Sequence, residues 1–135
     1  MYERIGVVPP QVVNRLLEIS SDACWKEIKG SGRDYLTSFT EIEKAKDLLP
    51  WTEWQNAFFL KIPPDGQIHK HIDTDRNWQT YHVVVQTNDG CISYVEGQPF
   101  YLETGGIYSI DRSLEHHSIN SGSTDRIHLL AEVYD

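Results

Sequence analysis

The stretch His69-Lys70-His71-Ile72-Asp73-Thr74-Asp75 places four ionisable side chains at alternate positions. In an extended strand alternate residues face one side, so His69, His71, Asp73 and Asp75 are expected to share a face. Such a face is costly in an apolar interior unless its groups are paired or hold a metal. The same pattern suits an exposed edge strand with a solvated polar face, and His-x-Asp alone does not separate the two. A second cluster runs Asp111-Arg112-Ser113-Leu114-Glu115-His116-His117-Ser118-Ile119-Asn120. A small-residue turn follows, then Asp125-Arg126-Ile127-His128-Leu129. His116 and Arg126 are symmetric about Ser121, which predicts a hairpin that sets them opposite each other. Read alone, this is equally a strand histidine with a surface arginine. Residues 1–68 contain no histidine, so imidazole chemistry belongs to the second half.

Taken together, the two clusters make a chemical set. Two histidines and one carboxylate on one face of an octahedral metal leave three positions open, as in non-haem Fe(II) oxygenases. Imidazole and carboxylate hold Fe(II) without blocking it. A 2-oxo diacid such as 2-oxoglutarate fills two open positions through its 1-carboxylate and keto oxygen, leaving the third for O2. Its far carboxylate then needs a fixed cation, which a forked guanidinium meets with two parallel hydrogen bonds. Arg126 stands where that cation is required.

Those residues need elements to position them. After Trp54, short runs of β-forming residues alternate with turn signals. Eight strands are predicted: Gln55–Ile62, Gln67–Ile72, Thr80–Gln86, Cys91–Val95, Gln98–Leu102, Ile107–Asp111, Glu115–Ile119 and Arg126–Val133. Pro63-Pro64-Asp65-Gly66, Asn88-Asp89-Gly90, Glu96-Gly97, Gly105-Gly106 and Ser121-Gly122-Ser123 separate them. Eight short strands at this spacing suggest a jelly roll or small barrel, with ligands at its mouth. Trp78, Tyr81, Tyr94 and Tyr108 are candidates for that mouth, though aromatics in a β-rich chain also serve as core. The first fifty residues read as helical support. Pro9 and Pro10 open a helix with Val13, Leu16 and Leu17 on one face. Thr40 and Glu43 form a capping-box pattern before an Ile42, Ala45, Leu48, Leu49 stripe that Pro50 ends. Trp51 and Trp54 read as packing anchors.

The combined spacing Gly66-x4-His71-x-Asp73, His82, Asp111-x4-His116-x3-Asn120-x5-Arg126-Ile127-His128-Leu129 resembles the aspartyl/asparaginyl β-hydroxylase-like branch of the Fe(II)/2-oxoglutarate dioxygenases. That branch includes free-proline hydroxylases, and the resemblance covers roughly residues 55–135. It implies a mainly β, cupin-like double-stranded β-helix (a jelly roll) over 55–135, with supporting helices in 1–54, all in one domain spanning 1–135. It also implies that His71, Asp73 and His116 are the catalytic iron ligands and that Arg126 binds the distal carboxylate of 2-oxoglutarate. His82 matches a position that helps hold the cosubstrate, and His128 shares Arg126's strand face beside it. Animal β-hydroxylases of the branch carry glycine where Asp73 stands, which aligns this chain with the proline-hydroxylase side. Ser118 stands where an aliphatic residue is common, with Ile119 one step out of phase. This keeps His117 open as the alternative to His116, although the Asp111, Asn120 and Arg126 spacings favour His116.

Composition bounds the rest. The chain has 135 residues, 39% of them apolar, enough for one core. No apolar run is long enough to span a bilayer, and the start lacks a secretory pattern. Cys24 and Cys91 read as reduced thiols, which suits the cytoplasm. A formal net charge of −8 argues against a grip on phosphate backbones. The expected partners are O2 and a small-molecule or peptide substrate, an amino acid or a peptidyl Asp, Asn or Pro residue. Two rival functions use the same fold. A cupin-like isomerase, epimerase or cosubstrate-free dioxygenase has no need of Arg126, and a non-catalytic jelly roll has no need of stoichiometric metal.

Overall fold

The computed structural model describes residues 2–51, 53, 56–73 and 78–134, excepting the side chains of Trp78 and Tyr134. Eleven strands form one curled sheet: β1 Tyr2–Val7, β2 Lys26–Gly30, β3 Arg33–Ser38, β4 Asn56–Ile62, β5 Gln67–His71, β6 Trp78–Gln86, β7 Cys91–Val95, β8 Gln98–Phe100, β9 Gly106–Ile110, β10 His116–Asn120 and β11 Arg126–Tyr134. Their order is β1-β9-β6-β11-β4-β3-β5-β10-β7-β8, with β2 added on β3, and every pair is antiparallel. The ribbon curls until strands far apart in that order meet. The Arg126 Nη1 of β11 lies 3.5 Å from the Ser93 Oγ of β7. This is the expected mainly β jelly roll.

Period-two alternation decides which side chains see which space. On β11, Ile127, Leu129 and Ala131 join the main core, while Arg126, His128, Leu130 and Glu132 face the other way. On β6, Val83 and Val85 join that core, and His82 alternates with them. Helix α1 (Pro10–Ser21) covers this outer face, burying Val13, Leu16 and Ile19 against Phe59, Val83 and Leu129. Burial on both faces explains the Val83-Val84-Val85 run of β6. A fully buried Leu or Phe stabilises by about 1.5–3 kcal/mol, so this layer anchors the strands that carry the polar inner face.

The eight strands predicted after Trp54 appear in order with ends shifted by one or two residues, and Gln55 lies outside the described residues. Pro9 caps α1 with Pro10 in its first turn, as expected. Three expectations are corrected. The first fifty residues are not mainly helical, because β1, β2 and β3 lie there and extend the sheet. The stripe from Ile42 to Leu48 is a 3-10 helix, and Thr40 with Glu43 forms no capping box. Glu41 takes the cap in a left-handed conformation, while the Thr40 Oγ1 accepts from the Cys24 amide at 2.8 Å. Finally, β10 and β11 do not pair. β10 lies between β5 and β7, and β11 between β4 and β6. The turn between them carries the chain from one half of the roll to the other, so His116 and Arg126 are not hairpin partners.

That turn is pinned from inside. The buried Asn120 side chain donates to the carbonyls of Ile62 and Thr124, both at 2.8 Å, and accepts from the Gly122 amide at 3.0 Å. A Cβ at Gly122 would collide with the Asn88 amide group, which would have to leave its bonds to Thr124. A second close approach starts β5. A Cβ at Gly66 would sit 2.6 Å from the Asp34 carbonyl oxygen. Both cysteines are free thiols, Cys24 exposed and Cys91 buried. Among the described residues no helix is long and apolar enough to cross a membrane.

Candidate metal and anion site

The inner faces of the two halves enclose a cavity of about 560 Å³, within the usual range for small-ligand sites. His71 closes β5 and His116 opens β10, and the register sets them directly opposite each other. Asp73 follows β5, its amide donating to the Arg112 carbonyl at 2.9 Å. The Asp73 Oδ2 lies 3.4 Å from the His116 Nε2 and 3.6 Å from the His71 Nε2. One ligand atom from each of the three residues falls within 4.8 Å of the others. Neighbouring ligands about 2.1 Å from a metal lie roughly 3 Å apart in an octahedron, so a small contraction completes the set.

The tautomers suit a cation. The Nδ1 of His71 sits 2.7 Å from the His69 carbonyl oxygen, and that of His116 sits 2.8 Å from the Leu114 carbonyl oxygen. A carbonyl only accepts, so each Nδ1 carries the proton and donates it. That leaves the Nε2 of each ring facing Asp73, the atom a metal-bound histidine in this orientation offers. The imidazoles of His116 and His71 beside Asp73 hold its carboxyl well below the usual carboxylate range. The donor set of imidazole and carboxylate fits Fe(II).

Across the cavity lies the opposite charge. Arg126 is 2% exposed. Its Nη2 donates to the His128 Nδ1 at 3.0 Å, its Nη1 reaches the Ser93 hydroxyl, and its buried Nε has no hydrogen-bond partner. No carboxylate pairs with it among the described residues. Burial lowers its pKa to about 10, which leaves it fully charged at neutral pH. A buried cation without a counter-ion is expensive, so the arrangement fits an incoming anion. His128 and His82 hold the guanidinium. Arginine only donates, so the His128 Nδ1 accepts. The His82 Nδ1, 3.1 Å from the same atom, must then donate to it. Burial first, and then the Arg126 charge, lowers the pKa of both rings, His82 to about 3. Both stay neutral, as this network requires.

Other sequence candidates separate here. His117 borders the cavity but stacks on Tyr94, with ring centroids 4.5 Å apart. The structure brings His116, and not His117, to His71 and Asp73. His69 stacks on His71 at 4.9 Å, and Asp75 lies outside the described residues, as does Trp54. Of the aromatics weighed for the mouth, the Trp78 side chain lies outside the described residues. Tyr81 stacks on Trp51, and the Tyr108 hydroxyl accepts from the Glu103 amide at 3.0 Å, so both are structural. Tyr35, Phe39 and Phe58 line the cavity instead.

The family of Aspartyl/Asparaginyl beta-hydroxylases matches residues 17–135. The chain belongs to that family. That membership agrees with the resemblance read from its motifs. A stretch of 62 residues is 29% identical to an L-proline cis-4-hydroxylase of Rhizobium meliloti (strain 1021), covering 46% of this chain. The matched stretch spans only 22% of that relative's length. The fold is shared with a 2OG-Fe(II) oxygenase family oxidoreductase from Burkholderia pseudomallei. That match has a TM-score of 0.73, 9% identity, and covers 97% of this chain and 84% of the other. It is shared too with the viral collagen prolyl hydroxylase of Paramecium Bursaria Chlorella virus-1, in a 2OG complex. There the TM-score is 0.67, identity is 14%, and coverage is 97% and 94%.

Sequence reasoning gave no role to Tyr2 and Ser118 of the cavity, or to Ser93 beside Arg126. The Ser93 and Ser118 hydroxyls lie 3.0 Å apart below Arg126. A signal existed for Ser118, which stands where the family that the chain resembles commonly carries an aliphatic residue. Ser93 gave none, and Tyr2 lies in a segment read as support.

Proposed function

We propose that this chain is a non-haem Fe(II)- and 2-oxoglutarate-dependent dioxygenase that hydroxylates an aliphatic C–H of an amino acid or of a peptidyl Asp, Asn or Pro residue. The observation that carries the reading is Arg126. It is a buried guanidinium with no carboxylate partner among the described residues, across one cavity from His71, Asp73 and His116. Iron with 2-oxoglutarate and O2 would supply the oxidation, the diacid leaving as succinate and CO2 while one oxygen atom enters the C–H bond.

The protein's own residues do the rest. His71, Asp73 and His116 would hold the metal, their ring orientation set by the carbonyls of His69 and Leu114. Arg126 would fork onto the distal carboxylate, oriented by His128 and, behind it, His82. Tyr35, Phe58, Leu60, Ile68 and Leu130 make the remaining wall largely apolar, which excludes water from the reacting C–H. The proline-hydroxylating relative supports an amino-acid or prolyl substrate. A cosubstrate-free cupin chemistry would leave the Arg126 charge buried to no purpose.

The test is a titration of 2-oxoglutarate into anaerobic, Fe(II)-loaded protein, followed by a screen of amino acids and peptides for succinate release. Saturable binding with one metal per chain is expected. No saturable binding by the metal-loaded protein would remove the oxygenase reading.

A further inference from the structure

Strand β1 precedes the region the family matches, which begins at residue 17. It nevertheless sends a side chain into the cavity. Tyr2 pairs with Ile110 at the start of β1 and lines the cavity. Its ring stands edge-on to His82 at 5.9 Å and to Phe100 at 5.8 Å. It packs against the buried Val84, Leu102 and Tyr108. Wedged there, Tyr2 shares the cavity wall with His82, Ser118 and Arg126. Burial raises the phenol's pKa, so it keeps its proton and can donate.

This spot has an unusual composition. Arg126 from β11, Ser93 from β7, Ser118 from β10 and Tyr2 from β1 converge on it. The Ser93 Oγ is 3.0 Å from the Ser118 Oγ and 3.5 Å from the Arg126 Nη1. Every member can donate a hydrogen bond, and none is a carboxylate. A guanidinium offers only donors, and three hydroxyls cannot neutralise it. The cluster is complete only with an anion at its centre.

We propose that Tyr2 is a cosubstrate-binding residue: its phenol donates to the distal carboxylate held by Arg126, and its ring sets the depth of that subsite and so the length of diacid accepted. The inference rests on the 2-oxoglutarate reading above. It makes β1 part of the binding apparatus, so the subsite is incomplete in a chain lacking residues 2–7.

The test uses the whole 135-residue chain, loaded with Mn(II) and kept anaerobic, with calorimetric titration of oxaloacetate, 2-oxoglutarate and 2-oxoadipate. These 2-oxo diacids differ by one methylene at each step. Tyr2→Phe keeps the ring and its packing and removes only the hydroxyl. It is expected to weaken 2-oxoglutarate binding by about 10- to 100-fold, the usual range for a hydrogen bond to a charged group. Metal affinity should not change. Tyr2→Ala opens the floor, and 2-oxoadipate should gain on 2-oxoglutarate by at least about tenfold relative to wild type. Wild-type binding of 2-oxoglutarate by Tyr2→Phe would overturn the inference while leaving the cosubstrate reading intact. An unchanged preference among the three diacids in a folded Tyr2→Ala protein would overturn the assigned control of length. Absence of 2-oxoglutarate binding in the wild type would overturn both readings together.

Discussion

At the residue scale, the site depends on which hydrogen-bond partner each ring nitrogen has. His116 is held by the Leu114 carbonyl with its Nε2 toward Asp73, whereas His117 faces the other side of β10 against Tyr94. Neighbouring residues on a strand face opposite sides, so only one can serve. His116→Ala is expected to lose bound metal, and His117→Ala to retain it, as measured by metal content after loading and desalting. The reverse result would show that β10 is offset by one residue. Arg126 gives a second prediction at this scale. Losing one partner of a buried charge pair costs on the order of 3–5 kcal/mol. Arg126→Ala should therefore raise the 2-oxoglutarate dissociation constant by about two to four decades. Arg126→Lys should fall between, keeping charge and losing the fork. Calorimetry on metal-loaded protein reads all three, and equal affinities would remove Arg126 from the binding site.

At the element scale, the turn between β10 and β11 matters most. Asn120 ties that turn to the end of β4 through the Ile62 carbonyl, and Arg126 faces Ile62 in the β11–β4 register. The turn thus sets where β11 begins and where its guanidinium arrives. Asn120→Ala would leave buried carbonyls without donors, at about 1–3 kcal/mol for each unsatisfied group. A stability loss of roughly 2–4 kcal/mol is expected by urea unfolding, together with weaker 2-oxoglutarate binding. Loss of stability with undiminished affinity would mean that the neighbouring strands alone place Arg126. How much of this was legible follows from the same physics. The strands from β4 to β11 were visible because period-two patterning and turn residues are local signals. β1 was missed because its partner β9 lies far along the chain, and β2 with β3 because that hairpin is largely exposed or half-buried and shows no apolar alternation. Tyr2 belongs to β1, and nothing near it in sequence marks it as a cavity residue.

At the scale of the whole molecule, the buried neutral histidines tie stability to pH. His82 and His128 have folded pKa values below the ordinary histidine value, His82 at about 3, because burial and Arg126 disfavour their charged forms. Below about pH 6.5 the unfolded chain takes up protons that these rings refuse in the folded state. Stability is therefore full above that pH and falls as the pH drops toward the folded values. Each histidine contributes a slope of up to about 1.4 kcal/mol per pH unit. The pair should cost on the order of 3–4 kcal/mol by pH 5. Urea midpoints of metal-free protein at pH 7.5, 6.5, 5.5 and 5 would read this. His128→Asn should roughly halve the slope below pH 6.5, and a flat wild-type profile would contradict neutral burial of the pair.

What the sequence alone determined was chemistry and rhythm. The His71-x-Asp73 pair, His116 and Arg126 are types and spacings, and the alternation of β-formers with turns is a local property of the chain. These sufficed for the family, the jelly roll and the candidate ligands. What only the tertiary structure decided was proximity across the roll. The hairpin symmetry about Ser121 suggested that His116 faces Arg126 as a strand partner, yet the chain crosses between halves at that turn and the two meet the cavity from opposite walls. The distinction between His116 and His117 needed the register of β10 against β5, where His116 lands on His71. The arrival of Tyr2 beside Ser93 and Ser118 needed the sheet to close. Local patterning records which face a residue takes, whereas the curl of a long antiparallel sheet decides which faces meet, and that is a property of all eleven strands together.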